Sequence, residues 1–240
     1  MTSLKIHPLH LGTITREKFL FSYWHKPGTI LEAPVLGWYI EGADKKILID
    51  TGGGDPESEH ASRFMPYRRE EKQSVENALK NVGVECDDID IVIASHLHWD
   101  HCAETRRLFK HAEVIVQEDE LKAARAPFPV QHGYVKSLFE GINYTVVSGD
   151  VEIANGVTAI LTPGHTYGLQ GVLVEAAKQK YFIASDTIGL FSNLESDPPM
   201  IGGIYVDMKL YYESLEKIGK LNATILPSHD IQIFENKFYS

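Results

Sequence analysis

The chain has 240 residues, 43% of them apolar, and carries 33 acidic against 23 basic side chains for a formal net charge of −10. That length buries a sizeable core, and that composition excludes disorder and collagen-like structure. The acidic surface repels phosphate backbones, which argues against nucleic-acid binding, and no run approaches the roughly 18 apolar residues of a membrane helix.

Short apolar runs rich in Val and Ile recur along the chain. They are Val35–Ile40, Ile47–Ile49, Ile89–Ala94, Val114–Val116, Tyr144–Val147, Val157–Leu161, Tyr181–Ala184 and Ala223–Leu226. Most are bounded by Gly, Asp, Asn or Pro, the pattern of buried strands. Helical spacing falls between them. Val75, Ala78, Leu79 and Val82 share one face, with Gly83 as a stop, and Met208, Tyr211, Leu215 and Ile218 repeat the spacing. Strands alternating with helices predict an α/β fold. No linker or low-complexity segment divides the sequence, so one domain over residues 1–240 is expected. The opening residues lack a cationic start followed by an apolar run, so no signal peptide is expected and the default is a cytoplasmic protein. The two cysteines, Cys86 and Cys102, define no disulfide framework.

Five of the apolar runs end in a polar residue able to bind or support a metal: Asp50, His96, His165, Asp186 and His229. Strands lying side by side would bring those ends to one rim, where loops are free to carry polar groups. The densest cluster is His96-Leu97-His98-Trp99-Asp100-His101, with three histidines and an aspartate in six residues. Imidazole and carboxylate together suit Zn²⁺, with Fe²⁺ or Mn²⁺ as alternatives. The bland reading is a histidine-rich surface loop. Against it stand the order and spacing of His165 after Thr162-Pro163-Gly164, Asp186 in Ser185-Asp186-Thr187, and His229 in Pro227-Ser228-His229. Cys102 is expected to be a packed residue. His7, His10, His25, His60, His111 and His132 lack partners at ligand spacing, although His25 and His132 sit in segments that could border a cleft.

The pattern H-x-H-x-D-H followed by a distant His, Asp and His resembles the metallo-β-lactamase superfamily. The resemblance runs from about Val35 to His229 and includes Asp50-Thr51-Gly52. It implies an αββα sandwich of two mixed β-sheets. It also implies one metal on His96, His98 and His165, a second on Asp100, His101 and His229, and Asp186 bridging them. Asp50 would orient a ligand, and Asp100 and Asp186 would be the catalytic carboxylates. Two close divalent ions share one water and lower its pKa toward neutrality. That chemistry hydrolyses a small-molecule ester or lactone.

Within the superfamily the SHLHWDH, TPGHT and SDT segments look most like the N-acyl homoserine lactonase branch. Many members of that branch carry a carbonyl-polarising tyrosine three residues after the bridging aspartate. Here that position is Gly189, and Tyr167 or Tyr205 is a candidate replacement. Phe19, Phe21, Tyr23 and Trp24, together with Phe64, Met65 and Tyr67, suit a substrate wall, a satellite core or the contact of a homodimer. Arg68 and Arg69 follow them and would meet an anion or simply be solvated. A glyoxalase II-type thioesterase shares the metal set but adds a helical domain after the last histidine. A phosphodiesterase sits poorly with the charge. A metal-binding redox protein of the flavin-diiron type would place a carboxylate where His98 stands.

Overall fold

The computed structural model describes residues 4–58, 61 and 66–240. Strands β1 (Lys5–Glu17), β2 (Ile30–Glu41), β3 (Ile47–Ile49), β4 (Tyr67–Arg68), β5 (Ile91–Ile93), β6 (Glu113–Gln117) and β7 (Tyr144–Val147) form one sheet in the order β4-β1-β2-β3-β5-β6-β7. Strands β8 (Val151–Ala154), β9 (Val157–Leu161), β10 (Gln170–Glu175), β11 (Lys180–Ile183) and β12 (Thr224–Leu226) form the other, in the order β12-β11-β10-β9-β8. Both sheets are mixed. β3, β5, β6 and β7 run parallel, as do β11 and β12, while the remaining pairs are antiparallel.

The period of two along a strand sorts the side chains into layers. On β3, Ile47 and Ile49 enter the core shared with the second sheet, whereas Leu48 enters the core on the outer face. Ile91 and Ile93 divide from Val92 on β5 in the same way. From the other side, Tyr181 and Ile183 of β11 face the shared core while Phe182 faces outward. Helix Val75–Lys80 covers the outer face of the first sheet through Val75, Ala78 and Leu79. Helix Met208–Gly219 covers the second through Tyr211, Leu215 and Ile218. The result is the expected αββα sandwich. Strands buried on both faces read as unbroken apolar runs, which is why they were visible in the sequence.

Strands β1, β8 and β10 are not marked by such runs. β1 carries a register shift between His10 and Thr13, so its apolar residues change phase midway. β10 opens on Gln170, a fully buried polar side chain that donates to the Ala94 carbonyl at 2.8 Å and accepts from Gln117 at 2.9 Å.

Candidate metal centre

The five strand ends converge as expected. β3 leads to Asp50, β5 to His96, β9 to His165, β11 to Asp186 and β12 to His229. Two of these exits turn through left-handed backbone at non-glycine residues, Asp50 (φ 58) and Ser185 (φ 46). Such strain persists only where the surroundings hold it, and it recurs at functional sites. Gly164 makes the turn before His165 with φ 141, and a Cβ there would lie 2.4 Å from Tyr211 Cα. Only glycine lets helix Met208–Gly219 pack so close beneath His165.

The hydrogen bonds fix which ring nitrogens face inward. His101 Nδ1 donates to Asp50 at 2.8 Å, His165 Nδ1 to the Ile204 carbonyl at 2.9 Å, and His229 Nδ1 to the Pro34 carbonyl at 2.8 Å. Ser95 Oγ spends its proton on Asp50 at 2.7 Å and so accepts from His96 Nδ1 at 3.1 Å. All four rings therefore turn Nε2 toward the centre. His98 contributes Nδ1, 3.1 Å from His165 Nε2.

Asp186 occupies the middle. Its Oδ1 lies 3.1 Å from His229 Nε2 and 3.3 Å from His101 Nε2, and its Oδ2 lies 3.4 Å from His165 Nε2. Imidazole nitrogens and carboxylate oxygens thus converge on one small space, the arrangement a cation would hold together. His96 Nε2 and His101 Nε2 are moreover buried with no hydrogen-bond partner, a costly state for a buried polar atom. Three groups of side chains bring their ligand atoms within 4.8 Å of one another: His96, His98 and His165; His96, His101 and Asp186; and Asp100, His101 and His229. Imidazole nitrogens with carboxylates are the donor set of a divalent transition ion, and the residues fit one.

Burial drives His96, His98 and His165 below the ordinary imidazole value, and neighbouring rings add to the effect for His96 and His98. Burial opposes charge on His101 and His229 too, but Asp186 and Asp100 outweigh it and hold both rings above that value. Burial works against ionisation of Asp186, yet His229 and His101 hold it well below the usual carboxylate range.

Behind the ligands lies Glu120, a fully buried carboxylate. It accepts from Leu97 N at 2.9 Å, Tyr134 OH at 3.0 Å, Thr166 Oγ1 at 2.6 Å and Gly168 N at 3.3 Å. It therefore joins the loop carrying His96 and His98 to the loop carrying His165. Tyr134 also packs against His98, with ring centroids 4.7 Å apart. A Cβ on Gly133 would come within 2.5 Å of the His98 ring. No motif marked Glu120, because it sits among ordinary helix residues in Glu118–Arg125. Cys102 is packed as expected. Its Sγ meets the Leu97 carbonyl at 3.5 Å, and burial pushes the thiol well up.

The centre opens into a cleft of about 420 Å³. His98, Asp100, His165, Asp186 and His229 line its floor, and Ile14, Leu20, Phe21, Val130, Ile204 and Val206 give apolar walls. Gly189, Tyr205, Gln131, His132 and Arg16 also belong to the lining. Of the expected substrate contacts, Tyr205 is here, its ring edge-on to Tyr23 with centroids 5.6 Å apart. Tyr167 is 37% exposed and lies outside the lining. Tyr67 is buried in the core, and its hydroxyl donates to backbone carbonyls of Leu11 and Gly54, so it does not reach the cleft. Phe64 and Met65 lie outside the described residues. Arg68 is paired with Glu32. Arg16 carried no sequence signal, being one polar residue on a mixed strand.

The family model described as metallo-beta-lactamase superfamily matches residues 32–229. The chain belongs to that superfamily and is a metal-dependent hydrolase. It is 32% identical over 223 residues to an N-acyl homoserine lactonase of Bacillus sp, covering 86% of this chain and 85% of that relative. A counterpart from Bacillus thuringiensis is 31% identical over 221 residues, with 86% and 85% covered. Among solved structures, a variant of B. thuringiensis AiiA with N-decanoyl-L-homoserine at its active site matches with a TM-score of 0.83 and 28% identity, covering 98% of this chain and 96% of that one. An N-acyl homoserine lactone hydrolase with the product N-hexanoyl-L-homoserine at its catalytic metal centre matches with a TM-score of 0.83 and 27% identity, over 98% and 96%.

Proposed function

We propose that this chain opens a lactone ring, using two divalent ions, Zn²⁺ in the first instance. The observation that carries the reading is the split carboxylate of Asp186. One oxygen faces His101 and His229 and the other faces His165, at the floor of an apolar-walled cleft. His96, His98 and His165 would hold one ion, Asp100, His101 and His229 the other, and Asp186 both. When bound, such a pair supplies an acidified water and polarises the scissile carbonyl.

The chain's own residues do the rest. Asp50, Ser95 and the Pro34 and Ile204 carbonyls hold the rings in one tautomer, so the ligand nitrogens need no reorganisation. Asp100, at the cleft floor, takes the proton lost by water and returns it to the departing ring oxygen. The acyl carbon–oxygen bond breaks as water adds to the acyl carbon, giving a hydroxy acid and one acid equivalent per turnover. The apolar walls exclude water and seat the acyl portion. Likeness to N-acyl homoserine lactonases over most of the chain supports a lactone as the ester concerned.

The test is a pH-stat survey of metal-analysed protein on five- and six-membered lactones, N-acyl homoserine lactones, thioesters and phosphodiesters. Lactones should be the best substrates. Far higher efficiency on a thioester or phosphodiester would overturn the reading.

A further inference from the structure

The cleft floor is acidic, yet among the described residues its wall carries one guanidinium. Arg16 and Ile14 are two residues apart on β1, share a face, and both line the cleft. A guanidinium offers five N–H donors in a planar fork. That of Arg16 is half-buried and makes no hydrogen bond or ion pair among the described residues. Arg68 and Arg107, by contrast, are each tied to glutamates. The charge that acts on Arg16 is Asp100, and it only partly offsets the cost of burial. In the reading above Asp100 is a metal ligand, and its charge is then spent on the ion.

Gln131 lines the same cleft. Gln131 Oε1 accepts from Phe128 N at 2.7 Å, which fixes the orientation of the amide. Its Nε2 is buried with no partner. A guanidinium without an acceptor, set in a wall that also holds Ile14, Leu20, Phe21 and Val130, describes a receptor for an apolar body that bears anionic oxygens.

We propose that the substrate of this hydrolase carries a carboxylate besides its scissile ester, and that Arg16 binds it. Arg16 is thus a specificity-determining residue. It selects a lactone or ester of a dicarboxylic acid over one with a plain alkyl chain. The proposal rests on the hydrolase reading of the metal centre, but its test reads binding rather than turnover.

The zinc-loaded chain is titrated calorimetrically with straight-chain dicarboxylic acids of graded length and with their monomethyl esters. Each pair differs by one charge, and the carboxylate common to both engages the metal centre. At the length that spans the cleft the diacid should bind about tenfold more tightly than its half ester, the worth of one charge-assisted contact. Arg16→Gln should bring the diacid down to the level of the half ester, and Arg16→Lys should keep part of the preference through its point charge. Metal content and melting temperature check that both variants are folded and loaded. Equal binding of diacid and half ester by the unaltered chain at every length overturns the proposal, as does a preference that survives Arg16→Gln. A chain that shows the preference but opens no lactone refutes the lactonase reading alone. One that opens lactones without the preference refutes this proposal alone.

Discussion

Glu120 accepts the hydroxyl of Thr166 at 2.6 Å, although the two are 46 residues apart in the chain. The same carboxylate holds Leu97 N on the first ligand loop, so the separation between His98 and His165 depends on a group that touches neither. Glu120→Gln introduces an amide donor where four donors already converge. Each donor left unsatisfied costs about 1–3 kcal/mol, and loss of a partner that supports ligands typically weakens metal binding about 10–100-fold. Thermal melts of metal-free protein and chelator-competition titrations should show both losses. Unchanged metal affinity would mean that the loops hold their places without Glu120.

Asp186→Asn tests the bridge. A neutral amide presents one acceptor oxygen in place of two anionic ones, so it serves two cations poorly. Elemental analysis should fall from near two metals per chain toward one, and turnover should fall steeply while the fold is kept. Full occupancy with ordinary turnover would remove Asp186 from the bridging position.

Protons and metal compete for His101 and His229. Both rings are held above the ordinary imidazole value by Asp186 and Asp100, so they keep a proton until the pH passes that raised value. His96, His98 and His165 are held lower by burial and are already neutral there. Metal affinity should therefore climb as pH rises through the raised window, with proton release on binding. Lowering the pH should empty the Asp100, His101 and His229 set first. Metal titrations from about pH 5 to about pH 9 in several buffers measure both the affinity and the protons released. A pH-independent affinity would contradict the assignment.

Gly189 offers the cleft no hydroxyl, and among the described residues Tyr205 is the tyrosine that lines it. If Tyr205 polarises the lactone carbonyl, Tyr205→Phe should lower turnover by on the order of 10²–10³ with metal content unchanged. Tyr167→Phe, outside the lining, should leave turnover as it was. A Cβ on Gly189 would meet Phe21 at an ordinary 3.6 Å, so a side chain can begin there, and Gly189→Tyr is the gain-of-function variant to make. Its turnover of N-acyl homoserine lactones should rise if the missing hydroxyl limits the rate.

The candidate ligand set was legible in the sequence because several of its members follow strands of the sandwich, most of them buried. Such strands read as unbroken apolar runs, and a His or Asp at the end stands out. Two mixed sheets were legible by resemblance, and the alternation of Ile47, Leu48 and Ile49 between two cores follows from the strand period. Only the tertiary structure decided what surrounds that set. Glu120 and Arg16 sit in segments whose local pattern is unremarkable, and their places follow from which loop or cleft the fold lays against them. Tyr67 looked like a neighbour of substrate, but pairing of β4 with β1 carries it into the core beside Trp99, where backbone carbonyls take its hydroxyl. A residue at a strand end announces itself through sequence contrast. A residue that works through a contact made far along the chain carries no local signature, because its partners are chosen by packing rather than by its neighbours.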